Sequence, residues 1–192
     1  EAIKCQLEWI GACSEGLQRF GTIGSHAEVV ANEQELWFMQ NGDGSSILDR
    51  ISNVITTPVT EITIVSPFYD QDGHLIQELQ KRFSPKTTKC AIHPDGGLLP
   101  HLALLDKTYS FYHWADVRED SSNTDEAKRL HAKAFQFKST IGTSLLVGSC
   151  NATPAAFGMS TSSTNTEAGI LVYSSKGKDY LNDLGLSFHQ QI

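Results

Sequence analysis

A chain of 192 residues with 40% hydrophobic and 19% charged side chains has the length and make-up of one globular domain with a sizeable core. No run approaches the roughly 18 apolar residues of a membrane span, and Glu1 to Lys4 do not lead into a signal-type apolar stretch, so a cytoplasmic chain that does not span a membrane is expected. A net charge of -7 and a pI near 5.4 exclude a protein that binds nucleic acid over its whole surface, since phosphate backbones are held by clustered Lys and Arg.

Residues 1–55 form an N-terminal segment of uncertain class. Within it, Glu28 to Ala31 and Leu36 to Met39 read as two short strands around the polar turn Asn32 to Glu35. Ser45-Ser46 then precedes Ile47, Leu48, Ile51, Val54 and Ile55, which fall on one face of a helix with a serine N-cap, and Pro58 limits it. From residue 56 the pattern is regular. Glu61 to Val65 is a β-branched run suited to a buried strand ended by Ser66-Pro67, and Asp70 or Asp72 can cap a helix with Leu75, Ile76, Leu79 and Phe83 inward.

Lys89 to Ile92 is the next predicted strand, His93 to Gly97 a turn, Leu98 to Leu105 a helix and Tyr109 to Trp114 a strand. A polar loop, Arg118 to Lys128, interrupts this rhythm. Leu130 to Phe137 and Ser144 to Val147 are predicted as adjacent strands joined through Thr140-Ile141-Gly142. A short helix over Ala152 to Met159, a polar loop at Thr161 to Thr164, a core strand from Glu167 to Tyr173 and a closing helix over Asp179 to Gln190, with Tyr180, Leu181, Leu184 and Phe188 inward, complete the chain. Strands alternating with helices imply an α/β fold: a mixed, largely parallel sheet flanked by helices.

Cys5, Cys13, Cys90 and Cys150 lie far apart with no Cys-x-x-Cys and no His at zinc-finger spacing, so free thiols are expected and no metal or other cofactor is implied. Trp9, Trp37 and Trp114 read as core or interface aromatics. Lys128, Arg129, His131, Lys133 and Lys138 make the densest cationic stretch, either a solvated charge run or a local anion-binding patch.

The chemistry-bearing residues cluster late in the chain. In a strand, residues two apart share a face, so His131 and Lys133 would project together while Leu130, Ala132 and Ala134 point away. Gly148-Ser149-Cys150-Asn151 follows an apolar strand, where small residues and backbone amides could meet an anion ahead of a helix, or Ser149 and Asn151 could simply cap that helix. Glu167 opens the last strand, where a carboxylate can hold an imidazole or end as a solvated charge.

In this order, His-x-Lys at 131–133, Gly-Ser-x-Asn at 148–151 and the downstream Glu167 resemble one half-site of the phospholipase D superfamily. Ile64 to Asp70 followed by a helix also resembles an early strand and helix of phospholipase D-like domains in bacterial proteins. The resemblance covers about residues 60 to 175 and implies a phospholipase D-like half-domain over 56–192, half of an αβα sandwich. It departs at Lys138, where the family's fuller motif has Asp.

By that resemblance His131 would attack phosphorus and form a phosphohistidine, Lys133 and Asn151 would hold the non-bridging oxygens, Gly148 and Ser149 would line the phosphate pocket, and Glu167 would orient an imidazole. Of the seven histidines only His131 is followed two residues later by Lys, so the chain holds one half-site. Its second half would come from a homodimer partner or from the rest of a longer chain, an option that the first residue, Glu1 and not Met, keeps open. The expected activity is metal-independent phosphodiester cleavage; the absence of an amphipathic membrane helix disfavours an interfacial lipase, and the resemblance implies nucleic acid, because phospholipase D-like domains in bacterial proteins often accompany DNA-processing modules. The alternative is a catalytically inactive phospholipase D-like binding or dimerisation module.

Overall fold

The computed structural model describes residues 28–30, 34–41, 45–94, 97–118, 130–159 and 165–189. Of the polar loop expected over Arg118 to Lys128 only Arg118 is described, and the loop expected at 161–164 lies outside the described residues, as do Cys5, Cys13, Trp9, Lys128 and Arg129. The elements in chain order are β1 (Glu28–Val30), β2 (Gln34–Gln40), α1 (Ile47–Val54), β3 (Val59–Val65), α2 (His74–Phe83), β4 (Thr87–Ile92), β5 (Tyr109–His113), α3 (Trp114–Val117), β6 (Ala134–Ser139), β7 (Thr143–Gly148), β8 (Ala168–Ser174) and α4 (Tyr180–Asp183).

The strands build one eight-stranded mixed sheet in the order β1-β2-β8-β7-β6-β3-β4-β5. The expected α/β class holds, but the parallel share is smaller than the alternating pattern implied. Only β3-β4 and β4-β5 run parallel, whereas the other five junctions are antiparallel. The reason is connection length. A crossover such as α2 is needed to bring β4 back parallel to β3, while Ser139 and Gly142 close a tight hairpin (Ser139 N–H to Gly142 O, 2.8 Å) that forces β6 and β7 antiparallel. The β1-β2 hairpin is present, and β2 pairs along its whole length with β8.

Strand alternation divides the core into two layers. Trp37, Ile62, Ile64, Cys90, Phe135, Phe137 and Leu171 pack with Ile47, Leu48 and Ile51 of α1 and Leu75, Ile76 and Leu79 of α2. Val65, Ala91, Tyr112, Ala134 and Leu145 face the other way, against Val117 of α3 and Tyr180 and Leu181 of α4. Helices therefore cover both faces of the sheet. Trp37 and Met39 of β2 and Ile47, Leu48 and Ile51 of α1 belong to the first of these layers.

The Ser46 cap follows the predicted chemistry, whereas the N-cap position of α2 is Gly73, at a left-handed φ of +69° and without a side-chain cap bond, with Asp70 reaching the helix from outside it. The Ser46 hydroxyl accepts the Asp49 N–H at 3.3 Å, and the Asp70 carboxylate accepts from both His74 and Leu75 N–H groups at the start of α2. Three predicted helices are shorter than expected. Leu98 to Leu105 contains only a 3-10 turn at Ala103–Leu105, because Pro100 supplies no N–H and Leu98 is drawn into a bridge with Phe68. Ala152 to Met159 is a turn, closed by Phe157 N–H to Thr153 O at 3.2 Å and Met159 N–H to Pro154 O at 2.9 Å.

The closing helix stops at Asp183. Gly185 takes a left-handed φ of +74°, Leu186 bridges Arg118, and Leu184 is 66% exposed instead of inward. Tyr180 and Leu181 are buried as expected, and Phe188 meets Tyr112 edge-on at 5.2 Å.

Candidate active site

One end of the sheet gathers the residues singled out above. There β2, β3 and β7 end while β6 and β8 begin, as the pairs Gln40↔Ala168, Gly148↔Gly169, Ala134↔Val147 and Val65↔Ala134 show. Asn41, Ser66, Lys133, Ser149 and Glu167 are each the residue next beyond one of these strand ends. β6 starts at Ala134, later than the strand predicted from Leu130. Its neighbour β3 ends at Val65 and Pro67 carries the chain away, so Leu130 to Lys133 have no strand to pair with on that side.

Gly148 is required by close approach. A Cβ there would lie 2.3 Å from Ala168 O and 2.6 Å from Gly169 Cα, backbone atoms that have little room to yield. That contact lets Ser149 bind the start of β8. Its N–H donates to Ala168 O at 2.9 Å, its Oγ accepts from Ala168 N–H at 3.1 Å, and its hydroxyl donates to Glu167 Oε2. Glu167 is 7% exposed, and its other carboxylate oxygen accepts from Asn165 Nδ2 at 3.2 Å.

Lys133 completes the charge balance of this cluster. Burial lowers its pKa below the ordinary lysine value, and the Glu167 carboxylate opposes that by favouring the ammonium. Its Nζ donates to the His131 carbonyl at 2.9 Å, and His131 itself is exposed. Asn151 keeps a buried Oδ1 without a hydrogen-bond partner. A buried polar atom left so is costly unless a ligand or solvent donor meets it.

Ser149, Glu167 and Lys133 are thus brought together, with His131 adjoining Lys133 through the backbone. The expected helix N-terminus after Asn151 is replaced by the turn at 153–158, so any anion there would rely on side chains and on amides of the 148–152 segment. Cys150 is buried, and desolvation, with the Glu167 charge adding to it, pushes its thiol up to about 12. It is therefore a packed thiol and not a nucleophile. Ser66 ties the site to β3, accepting Ala152 N–H at 3.0 Å and donating to Phe68 O at 2.9 Å.

Lys138 lies elsewhere. It is five residues from Lys133 on the β6 line, an odd spacing that places it on the opposite face. There it pairs with Asp179 at 2.6 Å and Glu61 at 3.2 Å, while Lys89 pairs with Glu61 at 2.7 Å. These groups line a cleft of about 180 Å³. The departure from the family motif therefore sits in a separate ion-pair network. Sequence reasoning missed Asn41, Asn165 and Ser66 as members of the site. Asn165, two residues before Glu167, was the most legible, since an amide beside a buried carboxylate satisfies one of its oxygens. Among the described residues no three His, Cys, Asp or Glu side chains come together as a metal site, and no helix among them is long and apolar enough to cross a membrane.

No protein-family model and no curated protein matches the chain. Solved structures similar to it include a phospholipase D family member, Nuc from Salmonella typhimurium (15% identity, TM-score 0.49, covering 83% of this chain and 99% of that one). NucT from Helicobacter pylori is similar at 12% identity and TM-score 0.47, covering 82% and 100%. The yeast tyrosyl-DNA phosphodiesterase is similar at 11% identity and TM-score 0.46 over 71% of this chain, which spans about a third (31%) of that protein's length. Likeness at this level concerns the path of the chain and leaves its chemistry to be argued from its own side chains.

Proposed function

We propose that this chain carries one half of a metal-independent phosphodiester-cleaving site of the phospholipase D type, acting on nucleic acid. The gathering of Lys133, Ser149 and Glu167 at one end of the sheet, with His131 joined to Lys133, supports this. The neutral His131 imidazole attacks phosphorus. A P–N bond forms as the P–O bond to the leaving group breaks, and an acid from the second half-site protonates the departing oxygen. Water then attacks the phosphohistidine, frees His131 and gives up its proton to that same group. Lys133 and the Asn151 amide hold the non-bridging oxygens and stabilise the charge that builds on them, an effect worth roughly 10²–10³ in rate per well-placed donor. Ser149 and Gly148 shape the pocket, and Glu167 orients an imidazole.

The second half-site comes from another copy of the chain or from the rest of a longer protein. Nucleic acid as the substrate class rests on analogy with nucleases of the superfamily. One observation favours the rival, an inactive binding or dimerisation module: both Glu167 oxygens are already bonded, to Ser149 and Asn165. Hydrolysis of an aryl phosphodiester and of single-stranded DNA, with and without chelator, decides between them. Chelator-resistant turnover that disappears in His131→Ala supports the enzyme. Equal inactivity of wild type and His131→Ala, in the dimer and in the full parent protein, establishes the module.

A further inference from the structure

We infer that Asn41, at the end of β2, is a positioning residue that holds Glu167 in the site; this rests on the phosphodiesterase reading. β2 and β8 pair in register as far as Gln40↔Ala168. One step further, a strand ladder would fray, because Glu167 precedes β8 and Asn41 follows β2. Asn41 extends the pairing instead. Its backbone N–H approaches Glu167 O at 3.4 Å, and its side-chain Oδ1 accepts the Glu167 N–H at 2.8 Å. The amide oxygen thus takes the place of the missing strand carbonyl and fixes the backbone from which the Glu167 carboxylate projects.

The same carboxamide has a second attachment. Asn41 Nδ2 donates to Ala156 O at 3.1 Å, in the turn that follows Gly148 to Asn151. Asn41 is 6% exposed, so both bonds are shielded from water and neither is readily exchanged for solvent. One buried side chain therefore joins the start of β8, which carries Glu167, to the segment after Asn151. The distance between carboxylate and carboxamide across the site is set by a residue in a region that has no family resemblance. Aspartate at this position would keep the oxygen facing Glu167 N–H and lose the donor to Ala156. Alanine would lose both.

Two measurements on the full chain test this. Under conditions where each variant is fully folded, Asn41→Ala lowers kcat by about 10- to 100-fold with KM within about twofold, the scale of a misplaced catalytic group, while Asn41→Asp stays within about fivefold of wild type. Amide exchange followed by NMR gives a second readout, with the Glu167 N–H protected in wild type and Asn41→Asp and unprotected in Asn41→Ala. If kcat is unchanged in Asn41→Ala while its thermal stability falls, Asn41 is only structural and the inference fails. It fails too if Asn41→Asp is as impaired as Asn41→Ala. If wild type shows no turnover that depends on His131, the phosphodiesterase reading fails by itself, and the exchange measurement then judges whether Asn41 anchors Glu167: equal exchange in all three proteins overturns the anchor.

Discussion

Lys133 and Lys138 stand five residues apart on the β6 line and meet opposite surroundings. Lys138 is ion-paired on two sides, with Asp179 at 2.6 Å and Glu61 at 3.2 Å, and Gln136 adds a bond to the same Asp179 at 3.0 Å. Lys133 donates to a backbone carbonyl and has Glu167 in its field. A closed, mutually satisfied charge network is what a fold uses to fasten a terminal segment, here α4 onto the sheet. The proposed function puts Lys133 in the other kind of setting, where donors are left to bind a ligand. A motif comparison that treats positions 133 and 138 as parts of one site merges two regions that the pleat of the strand separates.

The largest effect expected from breaking this contrast is on Lys133. Lys133→Met lowers kcat by roughly 10²–10³ with little change in melting temperature, whereas Lys138→Met leaves kcat within about threefold. Steady-state kinetics on both variants check this, and equal loss of turnover in Lys138→Met would merge the two regions again. Gly148→Ala comes next. Its Cβ meets backbone at 2.3 Å, so denaturant unfolding is expected to show a loss of about 2–3 kcal/mol together with loss of activity, because Ser149 is displaced from Glu167.

Lys138→Met has a smaller effect, about 1 kcal/mol of stability, since its partners are partly exposed and screened by solvent. The smallest effect is the dependence of stability on pH. Burial acts to raise the pKa of both Glu61 and Asp179, but Lys89 and Lys138 outweigh it at Glu61, and bonds from Lys138, Gln136 and the Asn182 N–H outweigh it at Asp179, so both lie below their ordinary values. Their stabilisation is complete above the unfolded carboxylate range, about 3.9–4.3, and is lost as pH falls through the folded values. For Lys138 burial acts to lower the pKa, but the bond to Asp179 and the Glu61 charge raise it. Its share is therefore present below its unfolded pKa, about 10.4, and is lost as pH rises through the folded value. Urea midpoints measured across pH should fall at both extremes in wild type. In Lys138→Met both falls should become shallower, the alkaline one persisting because the buried Cys90 and Cys150 thiols stay protonated while the unfolded thiols ionise.

Much of the scaffold could be read from local pattern. The β1-β2 hairpin, the Ser46 cap, the Asp70 bonds at the start of α2, the apolar faces of α1 and α2 and the strands β3, β4, β5 and β7 follow from periodicity and end signals that act over a few residues. The three overextended helices failed for a related reason. In Leu98 to Leu105, Ala152 to Met159 and Asp179 to Gln190 the apolar spacing was helical, but bridges from Leu98 to Phe68, Ala152 to Tyr69 and Leu186 to Arg118 captured backbone groups that a helix would have used. Sequence spacing does not register such long-range competitors.

Which residues can carry chemistry was legible along the chain, because imidazole, ammonium, hydroxyl and carboxylate are properties of side chains and their order is plain. The α/β class was legible too, because hydrophobic period is local. Which of those residues meet depends on how the strands pair. The Ser149–Glu167 bond spans 18 residues and the Asn41–Glu167 bond 126, and both depend on which strands lie side by side. The separation of Lys138 from the site was decided in the same way, by the alternation of a strand whose start is set by where its neighbour β3 ends.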